Sequence, residues 1–271
     1  MAITSRDQLI AALPTARRVI IDKASIANAV AGRFYSLWRA TGQPAQAAIP
    51  TTQAVCNSAL LGALPLVNGA GAVRNHIGLV DIATANATSA IEFHDRLCHQ
   101  GGLSGTVTTA QTTNLPLTLV GVSQERIGAV DYSDVSWWLE WYTDTGATGV
   151  NATVAVTYDD DTTGNIVVAL SATSRASGLY QIGPLAAGKK GIKAVTSVTL
   201  SATTGTAGAF GVTASRYLTG LMTAVSYKTE ICDWANLGLP LVANDACLML
   251  TMLCVTTTTG IVKAVATLPQ G

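Results

Sequence analysis

About seven strand-like segments lie between residues 131 and 271, the last at 260–268, and the period of two in the clearest of them constrains the fold most strongly. Residues 151–158 and 192–201 show the alternation most clearly, and turn-type sequences such as DDDTTGN separate the segments. Successive side chains of a strand point to opposite faces, so the pattern is typical of strands with one buried face. Several such strands at short spacing predict an antiparallel β-sandwich or jelly roll over 131–271.

The first part of the chain shows a different pattern. Apolar residues recur at steps of three and four over residues 6–40, and Ser5 with Gln8 has the spacing of a capping box. This pattern predicts helices that form an N-terminal arm. The predicted organisation is mainly β, with a helical arm and linker over 1–53, a mixed α/β region over 54–130 and the sandwich over 131–271.

The charge content indicates what the chain contacts. Sixteen basic and sixteen acidic residues give zero formal net charge, and charged residues are 12% of the chain, roughly half the usual share. A non-specific hold on nucleic acid needs a basic surplus, so we expect no nucleic-acid partner. The apolar run at 246–255 is about half the length of a spanning helix, so we expect no membrane partner.

Low charge also predicts self-association. A surface with few charges and no net charge has little electrostatic protection from neighbours. Residues 192–227 hold only Lys193 and Arg216 as charged groups, which leaves strand edges there without the usual charged protection. We therefore expect a homo-oligomer, with a trimer first and a dimer second.

An aromatic run and a set of arginines are the candidate interaction residues. On a strand, Trp137 and Trp141 face one side while Trp138 and Tyr142 face the other. Three interpretations stay open for this run: packing in the core, anchoring of a protein interface and stacking on sugar rings. The candidate residues are Arg17, Arg18, Arg33 and Arg39 in the arm, and Trp137, Trp138, Trp141 and Tyr142 in the sandwich.

Motifs for catalysis are weak, so no catalytic residue is predicted. The chain has no GxSxG elbow, and its three histidines form no triad pattern. Asp131, Asp134 and Glu140 flank the aromatic run and are the only candidates for a glycosidase-type pair of carboxylates. We therefore expect a protein that is not an enzyme and has no cofactor.

Potential metal ligands cluster in one place. On a helix, His94 and Cys98 would share one face, with Glu92, Asp95 and His99 nearby. The alternative is a polar helix end with one buried cysteine, and we predict no metal site.

Two loop motifs depart from the patterns they resemble. The sequence from Asp159 to Gly164 begins like a calcium loop, but Leu170 stands where a bidentate Glu belongs; a hairpin turn is the simpler interpretation, and calcium stays open. The sequence from Gly183 to Lys190 approximates a phosphate-binding loop, but Lys190 replaces the Ser or Thr and a strand pattern follows.

The five cysteines are widely spaced and form no CxxC pair, which argues against a zinc ribbon or a thioredoxin-type site. We expect reduced, structural cysteines. Disulfides between subunits stay an open alternative.

The composition and the C-terminal segments GLYQIGPLAAGKKGIKAVTSVTL and NDACLMLTMLCVTTTTGIVKAVATLPQG resemble tailed-bacteriophage virion structural proteins, in particular jelly-roll decoration domains. The resemblance covers residues 131–271 and carries over no functional residue. It implies a non-enzymatic building block, often trimeric, that binds the major capsid protein and stabilises the assembled head.

The sequence therefore predicts a capsid decoration (cement) protein, located in the virion and assembled in the host cytoplasm. The alternative is a tail, fibre or receptor-binding β-sandwich that recognises carbohydrate through the aromatic run.

Overall fold

The computed structural model describes residues 2–206 and 208–271, and this part of the chain is mainly β. The helices are α1 (Arg6–Ala12), α2 (Gln124–Ile127) and α3 (Trp234–Leu237), with 3-10 turns at Leu13–Thr15 and Leu37–Arg39. The strands of the first half are β1 (Arg17–Lys23), β2 (Arg33–Ser36), β3 (Gly42–Gln43), β4 (Ala54–Val55), β5 (Asn75–His76), β6 (Leu79–Thr84), β7 (Ser89–Ser104) and β8 (Leu117–Thr118). Those of the second half are β9 (Val135–Trp141), β10 (Val150–Tyr158), β11 (Thr163–Leu170), β12 (Gly178–Gln181), β13 (Ile192–Leu200), β14 (Ala209–Thr223), β15 (Glu230–Asp233), β16 (Leu241–Val242), β17 (Leu248–Cys254) and β18 (Val262–Leu268).

Six strands close into a barrel. Their order is β14-β9-β12-β2-β17-β7, and β7 pairs again with β14 to complete the ring. Every pairing in the ring is antiparallel. Closure removes the open edges that a flat sheet of these strands would leave.

Two further sheets cover the barrel on different sides. The four-stranded sheet has the order β11-β10-β13-β8, and its Val154 and Val198 pack with Trp137 and Val212 of the barrel wall. The five-stranded sheet has the order β15-β6-β18-β1-β3 and packs against another part of the wall. There the core residues include Ile21, Ile82 and Val262 from the sheet and Phe93 and Leu250 from the barrel.

The predicted N-terminal helical arm is wrong beyond its first turns. The capping box of Ser5 and Gln8 forms as predicted, and it begins a helix of seven residues. The chain then becomes β1, which pairs along its whole length with β18 near the C-terminus. Ile21 and Val19 bury their side chains in the core, so this segment is a strand of a sheet and not an arm.

The predicted boundaries at residues 53 and 130 do not separate the sheets. The barrel takes β2 from the predicted arm, β7 from the predicted mixed region and its other four strands from the predicted sandwich. Residues 131–271 therefore form no self-contained jelly roll. The long strand β7 pairs with β4, β14 and β17, and strands of the C-terminal half cannot close the ring without it.

Candidate interaction surface

The aromatic run lies in the core, so its candidate interaction residues are not exposed to a partner. Trp137 and Trp141 are about 1% exposed or less, and Trp138 and Tyr142 are also buried. Trp137 Nε1 donates to the carbonyl oxygen of Ile192 at 2.9 Å. Of the three interpretations, core packing is the one that the structure bears out.

Both faces of β9 are covered because β9 is a wall strand of the barrel. Trp137 and Trp141 face the four-stranded sheet, so Trp138 and Glu140 point into the ring. Trp138 Nε1 donates to Ser215 Oγ at 3.0 Å inside the ring. Neither face leaves an aromatic ring for a sugar or a protein partner, so the carbohydrate-binding alternative loses the residues on which it depended.

The four arginines lie on different elements and do not form one arm. Arg17 and Arg18 are exposed on β1, and Arg33 is exposed on β2 with its guanidinium 5.4 Å from the centre of the Tyr180 ring. Arg39 is partly buried and donates to the carbonyl oxygen of Ala47 at 3.0 Å. Arg17 and Arg18 make no ion pair within the described residues, which leaves them available to a partner.

Inside the barrel, the polar side chains form a buried network around Arg96. The Arg96 guanidinium lies 2.6 Å from Glu140 Oε2, and both side chains are fully buried. Thr213 Oγ1 donates to the same carboxylate oxygen at 2.6 Å, and Arg96 Nε donates to His99 Nδ1 at 3.0 Å. The Trp38 ring lies 4.9 Å from the guanidinium. The network fixes the wall strands relative to one another from within.

A β-bulge explains how Arg96 reaches His99. The register of β7 against β14 shifts between Ala214 and Ser215, so the β7 strand carries one extra residue at Leu97. Residues three apart on a regular strand point to opposite faces, and one extra residue brings them to the same side.

The network also shifts pKa values in opposite directions on its two partners. Burial is the largest single effect on the Arg96 pKa and would lower it, but the charge and hydrogen bond of Glu140 together with Tyr142 and Cys56 outweigh burial and raise that pKa. Burial would raise the pKa of Glu140, but the charge and hydrogen bonds of Arg96 and the hydrogen bond from Thr213 lower it. Both groups are therefore charged at neutral pH, and Glu140 is committed to a structural ion pair.

Cys56 and Cys247 lie beside this network. Both are fully buried and belong to one cluster with Trp38. Burial raises the pKa of the Cys56 thiol, but hydrogen bonds from Cys247 and His99 and the nearby positive charges hold it well below its usual range. All five cysteines are free thiols.

The cluster of potential metal ligands named from the sequence sits on a strand, so the helical spacing assumed for it is wrong. His94 and Cys98 belong to β7. His94 Nε2 lies 2.8 Å from Glu92 Oε2 inside the ring, whereas Cys98 packs in the core against the four-stranded sheet. No three potential ligand residues gather around one point within residues 2–206 and 208–271.

The acidic loop between β10 and β11 is a hairpin turn, as predicted, and lysines bind its carboxylates. Lys189 lies 2.6 Å from Asp160, and Lys193 pairs with Asp161. The hydrogen bond from Lys189 is the largest effect on Asp160 and lowers its pKa to about 2. The loop that holds Lys189 connects β12 and β13 without a helix, so it lacks the helix N-terminus that a phosphate-binding loop provides.

The outer face of the five-stranded sheet is an interaction candidate that sequence reasoning missed. Ile20 on β1 and Ile231 on β15 are each 66% exposed, and a shallow groove beside Ile20 is lined by apolar residues such as Val265 and by the charged residues Asp22, Asp81 and Lys263. The run Arg17–Lys23 contains three successive β-branched residues, which favour a strand. That signal, weighed above the helical spacing, would have indicated a strand at this position.

Neither a protein-family model nor a curated protein sequence matches this chain. Solved structures similar to it include the VP2 subviral particle of infectious bursal disease virus, at 11% identity over 94% of this chain and 80% of that chain, with a TM-score of 0.20. They also include the Gt strain of the same virus, at 12% identity over 94% and 81% with a TM-score of 0.17. At these TM-scores the superpositions carry no argument about this chain, and neither structure is described as a tailed-bacteriophage protein. Within the described residues no helix is long and apolar enough to cross a membrane.

Proposed function

We propose that this chain is a non-enzymatic structural subunit of a virus particle. The observation that carries the proposal is the outer face of the five-stranded sheet, where Ile20 and Ile231 stand at 66% exposure among charged groups such as Asp81 and Lys263. Exposed apolar side chains on two strands with open edges favour contact with a neighbouring subunit. A surface of this kind suits a subunit whose neighbours cover it.

The charge content supports the same proposal. A chain with 12% charged residues and zero net charge is poorly protected from association when free. The resemblance of the C-terminal segments to phage decoration domains gives the finer form of the proposal, which is a bacteriophage capsid decoration or cement protein located in the virion. In that form its partners are other copies of itself, in a trimer, and the major capsid protein.

The first test is the composition of purified particles. Quantitative mass spectrometry of gradient-purified virions should find this chain in a fixed ratio to the major capsid protein. Absence of the chain from intact particles, when it is present in the infected lysate, would overturn the proposal.

The cement role needs a second measurement. Particles that lack the chain should rupture at a lower temperature than complete particles, and purified chain added back should restore the higher temperature. A deletion of residues 1–50, which would remove the predicted N-terminal arm, does not test capsid binding because those residues supply β1 and β2 to the folded core. Ile20→Lys on the exposed sheet face is the better variant, and Val120→Lys, at a site 81% exposed elsewhere, is its control.

A further inference from the structure

The five-stranded sheet has an open edge on each side. On β15, the side away from β6 pairs with no strand of the described chain. On β1, the far side pairs with β3 only at Asp22 and Lys23, so residues 17–21 have no strand partner there. Open edges offer unpaired backbone groups to another strand.

The two edges differ in charge. The β1 edge carries Arg17 and Arg18, both exposed and in no ion pair within the described residues. The β15 edge carries Glu230, which lies 3.9 Å from Lys228, and Asp233, whose Oδ1 caps α3 while its Oδ2 accepts no hydrogen bond within the described residues. Opposite charges on opposite edges of one sheet favour contact between unlike edges and disfavour contact between two identical ones.

Strand direction permits such a contact. Each neighbouring pair from β1 through β18 and β6 to β15 is antiparallel, so β15 runs opposite to β1. A second copy placed beside the first in the same orientation therefore presents β15 antiparallel to β1, and the sheet continues with the pairing it already has.

Side-chain parity selects one register. Val19 and Cys232 pack toward the core, so Arg18 and Ile20 on β1, and Ile231 and Asp233 on β15, face outward. With Ile20 opposite Ile231, Arg18 stands directly opposite Asp233. Residues 230–233 of β15 then pair with residues 21–18 of β1, and the new pairing stops just before Asp22, where β1 pairs with β3.

The registers shifted by two residues in either direction are less favourable for the same side chains. A shift of two residues in one direction places Ile231 opposite Asp22, whose edge β3 already occupies. A shift in the other direction places Arg18 opposite Ile231 and removes the charge pair. Cross-strand pairs of opposite charge and of β-branched residues each add to the stability of a sheet.

We propose that copies of this chain associate head to tail through this sheet, with β15 of one copy pairing antiparallel to β1 of the next. The contact is heterologous, so it closes into a ring when the rotation between copies permits and otherwise grows into a chain. The inference deepens the proposed assembly role by assigning the surface through which copies meet.

Cysteine cross-linking tests the register directly. In a Cys232→Ser background, which removes the only cysteine that is not buried, Ile20→Cys and Ile231→Cys are made as two separate proteins. Under mild oxidation the mixture should give a mixed disulfide dimer, whereas each protein alone should not cross-link. A dimer from Ile20→Cys alone would indicate a symmetric contact of two β1 edges and would overturn the proposal.

The second test changes the charge or size of edge side chains and measures association by light scattering coupled to size-exclusion chromatography. Arg18→Glu and Ile231→Lys should each weaken association about tenfold or more, with unchanged thermal unfolding because both sites are exposed. Val167→Lys is the matched control, since Val167 is 57% exposed on β11, an edge strand of the other sheet. A wild type that stays monomeric at millimolar concentration, or a control that dissociates as much as the two variants, would overturn the contact.

These outcomes are separate from those of the proposed function. If the chain is present in particles but gives no mixed cross-link, the proposed sheet contact is wrong and the proposed virion role stands. If the chain cross-links in this register but is absent from particles, the sheet contact stands and the proposed virion role is wrong.

Discussion

The barrel interior and the hairpin between β10 and β11 hold ion pairs of the same length in different surroundings. The Arg96–Glu140 pair and the Lys189–Asp160 pair both measure 2.6 Å. Both side chains of the first pair are fully buried, whereas about half of the Asp160 side chain is exposed. Distance alone therefore does not show which pair contributes more to the free energy of unfolding, and the burial of the side chains decides it.

Burial acts in two opposing ways. A charge inside the barrel interacts strongly with its partner but has lost its water, so removal of one partner leaves the other uncompensated. An exposed pair recovers water when it separates and contributes little. The barrel pair should therefore be costly to break, inexpensive to replace as a unit, and a source of acid sensitivity. The hairpin pair should cost little either to break or to replace.

The largest expected effect is the loss of one buried partner. Glu140→Leu leaves the Arg96 guanidinium without a counter-charge in the ring, and we expect unfolding to become easier by about 3–5 kcal/mol. Urea unfolding followed by tryptophan fluorescence measures this change. A loss below about 1 kcal/mol would mean that Arg96 recruits another partner, and the contrast with the hairpin would fail.

Replacement of both partners should recover most of that loss. Arg96→Met with Glu140→Leu removes both charges and keeps apolar volume in the ring, and such exchanges are often neutral within about 1–2 kcal/mol. His99 and Thr213 lose their partners in this variant, so we expect a value somewhat below that of the wild type. A double variant no more stable than Glu140→Leu would show that hydrogen bonding dominates over charge in the barrel.

Acid sensitivity should follow the same pair. The pKa of Glu140 is lowered in the fold, so its stabilisation is complete above the pKa of the unfolded chain, near 4.3. It is lost as the pH falls through that value toward the lower folded pKa. Between pH 7 and pH 3, the midpoint temperature of thermal unfolding should therefore fall more steeply for the wild type than for the double variant. Parallel curves would contradict the conclusion that Glu140 causes the acid sensitivity.

The same contrast explains how much of the fold was predictable. Strands with one buried face were found close to their predicted bounds, as at Val150–Tyr158, Ile192–Leu200 and Val262–Leu268. In β10 buried and less buried residues alternate strictly, so the period of two is visible in the sequence. These strands belong to the two covering sheets, which have one face toward the barrel.

The helical spacing assumed for His94 and Cys98 on the barrel strand β7 is wrong because both faces of this strand are buried. Residues from His94 to Gly101 are all inaccessible, and the inward face carries Glu92, His94 and Arg96. Polar residues that point into a ring interrupt the apolar alternation, and the resulting spacing of three and four mimics a helix. Only the closure of the ring shows that these polar side chains have buried partners.

The candidate site followed the same division. The aromatic run was correctly predicted as a strand, but its accessibility depended on a second covering layer that the local pattern does not reveal. Ile20 was missed because its two neighbours are also β-branched and apolar, and the sequence does not show which of the three faces the core. Local pattern therefore predicts the element, and the arrangement of layers decides which of its faces is free.

The smallest expected effect is at the hairpin. Asp160→Asn removes a carboxylate whose pKa is lowered to about 2, chiefly by the hydrogen bond from Lys189, yet we expect no measurable change in the unfolding midpoint at pH 7. The lysine regains water when the pair is broken, and salt screens the interaction already in the wild type.

Asp159→Asn provides the matched comparison within the same turn. One oxygen of Asp159 accepts hydrogen bonds from the backbone amides of Lys190 and Gly191, so this variant weakens the connection between two loops and should lower the midpoint more than Asp160→Asn does. Added calcium should leave the wild-type midpoint unchanged, because lysines already bind Asp160 and Asp161. If calcium raises the unfolding midpoint of the wild type but not that of Asp160→Asn, the carboxylates of the turn exchange their lysines for a cation. The exposed pairs would then provide a cation-binding site, which the buried Arg96–Glu140 pair cannot do.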